Sequence, residues 1–180
     1  FYPGKLQSRT LSVDIGTAGS VTLLLQSLIL AALFAPGKVS FKITGGTDVQ
    51  HSPPADYFGN VFLPQLRRFA QISFSLQRRG LYPKGGGKVD LEIKPEFSLA
   101  DFDTFQEFWQ HLQQQLLQRQ LVINLVNRGK LLLVKGVSAA SSDLQRANVA
   151  ERQAKAARHL LQEKLGCDVD IATEYSESLS

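Results

Sequence analysis

Three turns and a proline pair hold the residues of this chain whose types suit phosphate and base recognition. Gly16-Thr17-Ala18-Gly19-Ser20 leaves an alternating apolar run and opens a helical one. Backbone N–H groups at the positive end of such a helix suit an anion, and glycine permits a close approach. The turn has no Lys-Ser/Thr pair as in a P-loop, and Ser20 or Thr17 suits an ordinary N-cap equally well. A second turn, Lys84-Gly85-Gly86-Gly87-Lys88, with Arg78 and Arg79 nearby, resembles an anion nest; its bland reading is a flexible basic hairpin.

Gln26 lies inside an otherwise apolar helical run. An unpaired amide there would cost ~1–3 kcal/mol, so it needs a partner: backbone, water, or the hydrogen-bonding edge of a base. The third turn, Gly45-Gly46-Thr47-Asp48, leads to His51-Ser52-Pro53-Pro54-Ala55-Asp56-Tyr57, where a rigid proline pair beside a ring suits stacking on a planar base. The alternative is a helix-entry loop with Tyr57 in the core. His51 sits beside Ser-Pro without a recognisable nucleophile partner, and His111 and His159 fall on helical runs, so none is taken as catalytic.

These residues need elements to hold them. Leu11 to Ile15 alternates as a strand. Val21, Leu24, Leu25, Ile29 and Leu33 recur at helical spacing up to Pro36-Gly37, and Lys38 to Thr44 alternates again. A second helix is expected from about Pro54 to Phe69, kinked at Pro64, followed by strands Gln71–Arg78 and Lys88–Ile93. The order is βαβαββ, which predicts an α/β unit of two helices on one face of a four-stranded sheet, in α+β sheet-and-helix layers. Glu96 to Gln120 reads as an amphipathic helix with Phe102, Phe105, Trp109, Leu112 and Leu116 on its apolar face. Beyond Leu121 the pattern predicts a hairpin turning at Asn127-Arg128-Gly129-Lys130, a helix from about Asp143 to Leu165 capped by Gly166, and a strand Val169–Ala172. The domain reading is residues 1–95 as the first unit, 96–120 as a helical linker or insertion, and 121–180 as part of a smaller α/β domain.

Composition fits a soluble globular chain of 180 residues, with 43% hydrophobic and 20% charged residues. A single Cys167, without a CxxC pair, excludes an internal disulfide and points to a reducing cytoplasm. The greasiest stretch, Val21 to Ala35, contains Thr22, Gln26 and Ser27 and is read as a buried helix, not a membrane span. Residues 1–95 carry 11 Lys and Arg against 5 Asp and Glu, whereas residues 96–180 carry 9 against 11, so the first half is the expected contact for a polyanion. The opening Phe1-Tyr2-Pro3-Gly4, without Met, reads as a cut inside a longer protein.

Taken together, Gly16-Thr17-Ala18-Gly19-Ser20 with Leu25-Gln26, Gly45-Gly46-Thr47-Asp48, Pro53-Pro54-Ala55-Asp56-Tyr57 and Arg79-Gly80-Leu81-Tyr82-Pro83-Lys84-Gly85-Gly86-Gly87 resemble the RNA 3′-terminal phosphate cyclase family in order and spacing. Val149-Ala150-Glu151-Arg152-Gln153-Ala154 is similar to a further, weaker family segment. The resemblance implies one of three βαβαββ repeats, followed by part of an inserted domain of thioredoxin-like topology. It implies ATP-dependent conversion of an RNA 3′-phosphate to a 2′,3′-cyclic phosphate, by ligase-type nucleotidyl transfer. A histidine is adenylylated, AMP passes to the RNA phosphate, and the neighbouring 2′-hydroxyl displaces AMP.

By the same resemblance Gln26 contacts ATP, Pro54 and Tyr57 flank the adenine, and a divalent metal, taken as magnesium, accompanies the triphosphate. The implied partners are RNA 3′-phosphate ends and the other repeats of the parent chain, with self-association through an exposed sheet edge or face as a further expectation. The family's early Glu-Gly-Gly-Gly-Gln segment, its arginine-bearing loop and the segment with the histidine nucleophile have no match here, so this stretch is expected to be inactive alone. Two other readings exist. A non-catalytic, cyclase-like branch serves ribosome assembly, but a scaffold has no reason to keep an adenine pocket. Enolpyruvyl transferases share the repeated unit, but the Gly-Gly-Thr-Asp and Tyr-Pro-Lys-Gly-Gly-Gly turns argue against them.

Overall fold

The computed structural model describes residues 4–121, 123, 125–127 and 129–177, and the chain divides into two compact units between residues 123 and 124. In the first unit, strand β1 (Thr10–Asp14) leads through helix α1 (Val21–Ala32) to β2 (Val39–Gly45). A broken helix follows: α2 (Ala55–Tyr57), a π-helical turn Phe58–Phe62, and α3 (Leu63–Leu66). Strands β3 (Ala70–Arg78) and β4 (Gly87–Pro95) complete a four-stranded sheet of order β1-β2-β4-β3.

β1 and β2 are parallel, and β4 runs antiparallel to both β2 and β3. The expected βαβαββ unit is therefore present, with β4 inserted between the two strands that the second crossover joins. Val39, Phe41 and Ile43 of β2 and Val89, Leu91 and Ile93 of β4 are buried on one face. They meet Val21, Leu25 and Ile29 of α1 and Phe58 and Leu63 of the broken helix in one cluster. Period-2 strands packed against a period-3.6 helix produce this arrangement, and each fully buried Leu, Ile or Phe contributes ~1.5–3 kcal/mol. The opposite face carries Ser12, Asp14, Lys42, Thr44, Lys88, Asp90 and Glu92, so the open face of the sheet is polar.

Three sequence expectations are corrected. The second helix ends at Leu66 and does not bend at Pro64; the distortion lies before it. Leu63 N–H reaches back five residues to the Phe58 carbonyl, and this wider turn accommodates a ring that has no N–H to donate. The helix expected over 96–120 is α4 (Phe105–Gln118), capped by Thr104, whose Oγ1 accepts from Glu107 N–H at 3.2 Å. Its buried side chains are Phe108 and Leu112, packed with Phe97 and Phe34, whereas Phe105 and Trp109 are exposed and stack on each other. Periodicity placed the stripe one flank away, because Phe34 and Phe97 offer the receiving surface.

The third correction lies in the second unit, which contains β5 (Leu133–Ser141), α5 (Val149–Leu165) and β6 (Asp168–Ser176). β5 pairs with β6 in parallel, and among the described residues it has no antiparallel partner. Residue 128 of the expected hairpin turn lies outside the described residues. The expected helix from Asp143 begins as a 3₁₀ turn, Ser142–Ala147, and becomes α-helical only after Asn148, at φ 47°. Gly166 ends it at φ 60°, a conformation that favours glycine. No helix among the described residues is long and apolar enough to cross a membrane.

Candidate nucleotide site

The glycine turns meet at one end of the first sheet and bond mainly to one another. Ser20 caps α1 by accepting from Leu23 N–H at 3.2 Å. Gly16 N–H goes to Asp14, Gly19 N–H to Thr17, and Val21 N–H to the Gly46 carbonyl. Much of the donor set that would cradle a phosphate is thus spent inside the protein, and the N-cap reading describes this turn. The glycines serve loop packing: a Cβ on Gly46 would overlap the Ala18 carbonyl oxygen, one on Gly80 would overlap Gly45 and Gly87, and one on Gly85 would lie 2.6 Å from the Thr17 carbonyl oxygen.

The basic turn is likewise committed. Arg78 donates to the Gly86 carbonyl. Arg79 is 3% exposed and is a structural cation instead of a ligand for solution anions. Its Nη1 lies 2.8 Å from Asp56 Oδ2 and 3.2 Å from both oxygens of Asp48. Around it, the buried Thr47 hydroxyl donates to Asp48 at 2.7 Å and accepts from Gly80 N–H at 2.9 Å, while Thr47 N–H donates to the Gly80 carbonyl and Ala55 N–H to the Thr47 carbonyl. Lys84 and Lys88 remain exposed at the turn.

Against this fixed framework the residues predicted to meet a base are open. Pro54 is exposed at the N-cap of α2 and Tyr57 is 51% exposed at its other end, so Tyr57 is not a core residue. Gln26 is half-buried on α1, and its amide makes no hydrogen bond to protein among the described residues. It stands one turn after the buried Thr22, whose hydroxyl donates to the Pro53 carbonyl at 2.7 Å. That bond fastens the Gln26 side of α1 to the proline pair. Two rings and a half-buried amide are thus the groups here that could hold a planar base.

No group of three or more His, Cys, Asp or Glu converges among the described residues, and Asp48 and Asp56 face Arg79. His51 is exposed in a turn at φ 63°, His111 lies against Phe102, and His159 faces Glu163 at 3.9 Å on a solvated helix surface. Sequence reasoning missed the Arg79 pair and the Thr22–Pro53 bond. Two aspartates flanking glycine and proline turns were the only hint of a buried cation, and residues 31 positions apart do not announce their pairing.

A family model described as RNA 3′-terminal phosphate cyclase matches residues 1–169. Curated relatives of that name include a protein of Ignicoccus hospitalis, 43% identical over 97% of this chain and 43% of its own length. Another, from Pyrococcus abyssi, is 42% identical over 99% of this chain and 46% of its own. The chain spans less than half the length of these curated relatives.

Proposed function

This chain belongs to the RNA 3′-terminal phosphate cyclase family, and on that premise we propose that it forms the base-reading wall of an ATP site in such a cyclase. Pro54 and Tyr57 hold the adenine between them, and the Gln26 amide donates to and accepts from its edge. A stacking contact of this kind contributes ~1–3 kcal/mol per base. Bound ATP supplies the adenylyl group for the family reaction, conversion of an RNA 3′-phosphate to a 2′,3′-cyclic phosphate through enzyme-AMP and RNA-AMP. The observation that supports this reading most directly is the exposed Pro54–Tyr57 pair, fastened by Thr22 to the helix that carries Gln26.

RNA 3′-phosphate ends are the proposed substrate, the parent chain's other repeats its proposed partners, and the cytoplasm its proposed setting. Self-association would use the sheet's edge strands, β1 or β3, because its free face is polar. None of His51, His111 and His159 sits in an enclosed site beside a base, so the isolated chain does not adenylylate itself. Intact-mass measurement after incubation with ATP is expected to show no added AMP, and one added AMP would refute that statement. Titration with ATP is expected to show Gln26→Ala binding roughly tenfold more weakly, about 1.4 kcal/mol. Equal affinity of the two chains would remove Gln26 from the site.

A further inference from the structure

We infer that Arg79 is the positioning residue that makes this site selective for a nucleobase, acting through Asp56. The inference rests on the nucleotide reading above and adds what holds the wall in place. Asp56 lies between Pro54 and Tyr57 in sequence, within the three-residue helix α2. α2 is the first turn of the helical stretch that runs on to Leu66, and the exposed rings of Pro54 and Tyr57 flank this turn, so an anchor on the turn fixes the rings. The Asp56 carboxylate supplies one: it is two-thirds covered and meets the buried Arg79 guanidinium at 2.8 Å.

Arg79 is itself held on several sides. Its side chain is 2% exposed, it is shared with Asp48 at 3.2 Å, and it lies between the end of β3 and Gly80, whose backbone exchanges hydrogen bonds with Thr47. A planar guanidinium can meet carboxylates from two separate loops at once, which the ammonium of lysine does less rigidly. The Asp48 side of the cation thus ties it to the end of the sheet, and the Asp56 side extends that rigidity to the rings. Ring placement within a fraction of an ångström decides stacking, whereas charge attraction to a triphosphate tolerates looser geometry.

The consequence is a separable one. Loss of the Asp56–Arg79 contact removes the part of ATP affinity that depends on the base and leaves the part that depends on phosphate. The test uses the 180-residue chain, titrated with ATP and with inorganic tripolyphosphate, as wild type, Arg79→Lys and Asp56→Asn. Wild type is expected to prefer ATP, and both variants are expected to lose at least tenfold of that preference with tripolyphosphate affinity unchanged. Circular dichroism identifies a variant that fails to fold; if Arg79→Lys fails, Asp56→Asn, altered at a partly exposed position, decides alone. Retained preference in a folded variant, or parallel loss of both affinities in Asp56→Asn, would overturn the positioning role while leaving the nucleotide reading intact. A wild-type chain that binds ATP no more tightly than tripolyphosphate would overturn that reading and this inference together.

Discussion

The two units of this chain use apolar residues in opposite ways. In the first, large side chains from β2, β4 and two helical segments close into one cluster, with Leu25, Ile29, Phe58, Leu91 and Ile93 at or near zero exposure. In the second, the buried apolar residues among those described are Ala140, Ala150, Ala154 and Val169. Small residues one turn apart let α5 lie close on two strands, but they remove little apolar surface, and Val137, Leu160 and Leu165 stay 40–50% exposed. Stability in the second unit therefore rests more on the β5–β6 ladder and on local bonds, such as the Tyr175 hydroxyl joining Ala150 N–H to Glu151. The candidate site is built on the unit with the dense core, where backbone packing can hold exposed rings still.

That contrast can be broken most directly in the cores. Leu91→Ala is expected to cost roughly 2–5 kcal/mol by transfer and cavity effects, and Val169→Ala roughly 1–2 kcal/mol on the scale of two buried methylenes. Amide hydrogen exchange along β4 and along β6 measures the two losses, and equal losses would erase the distinction. A pair of glycines sharpens it. Gly80→Ala places a methyl on the Gly45 and Gly87 backbone and is expected to cost roughly 1–3 kcal/mol, together with ATP affinity. Gly136→Ala in β5 meets nothing closer than Ile171 Cγ1 at 3.7 Å and is expected to stabilise by roughly 0.5–1 kcal/mol. Chemical denaturation compares them, and a tolerated Gly80→Ala would mean that the turns are not held by their glycines.

The smallest expected effect is a pH dependence confined to the second unit. Partial burial, and then the hydrogen bond it donates to Glu151 at 2.5 Å, raise the Tyr175 phenol above its usual value. The fold thus favours the neutral phenol. Its contribution is fully present below the ordinary tyrosine value of 10.0 and is lost as pH rises through the higher folded value. Exchange protection in α5 and β6 is expected to fall above that point in the wild type and to flatten in Tyr175→Phe. An unchanged alkaline profile in the variant would assign the dependence elsewhere.

Local pattern was enough for the alternation of β2 and β4, the spacing of Val21, Leu25 and Ile29, and the stop at Gly166, because each depends on neighbours within a few residues. It also brought out Gln26, Pro54 and Tyr57, since an amide in an apolar helix and a ring beside two prolines are unusual in any context. Only the tertiary structure decided which side chains α4 buries, that β5 takes a parallel partner, and that Tyr57 faces outward. It alone turned Arg79 from one of several cations near a glycine turn into a buried link between Asp48 and Asp56. The physical reason is common to all of these. Helical and strand periods report on a residue's own element, whereas burial, strand partners and ion pairs are settled by surfaces that distant parts of the chain bring to it.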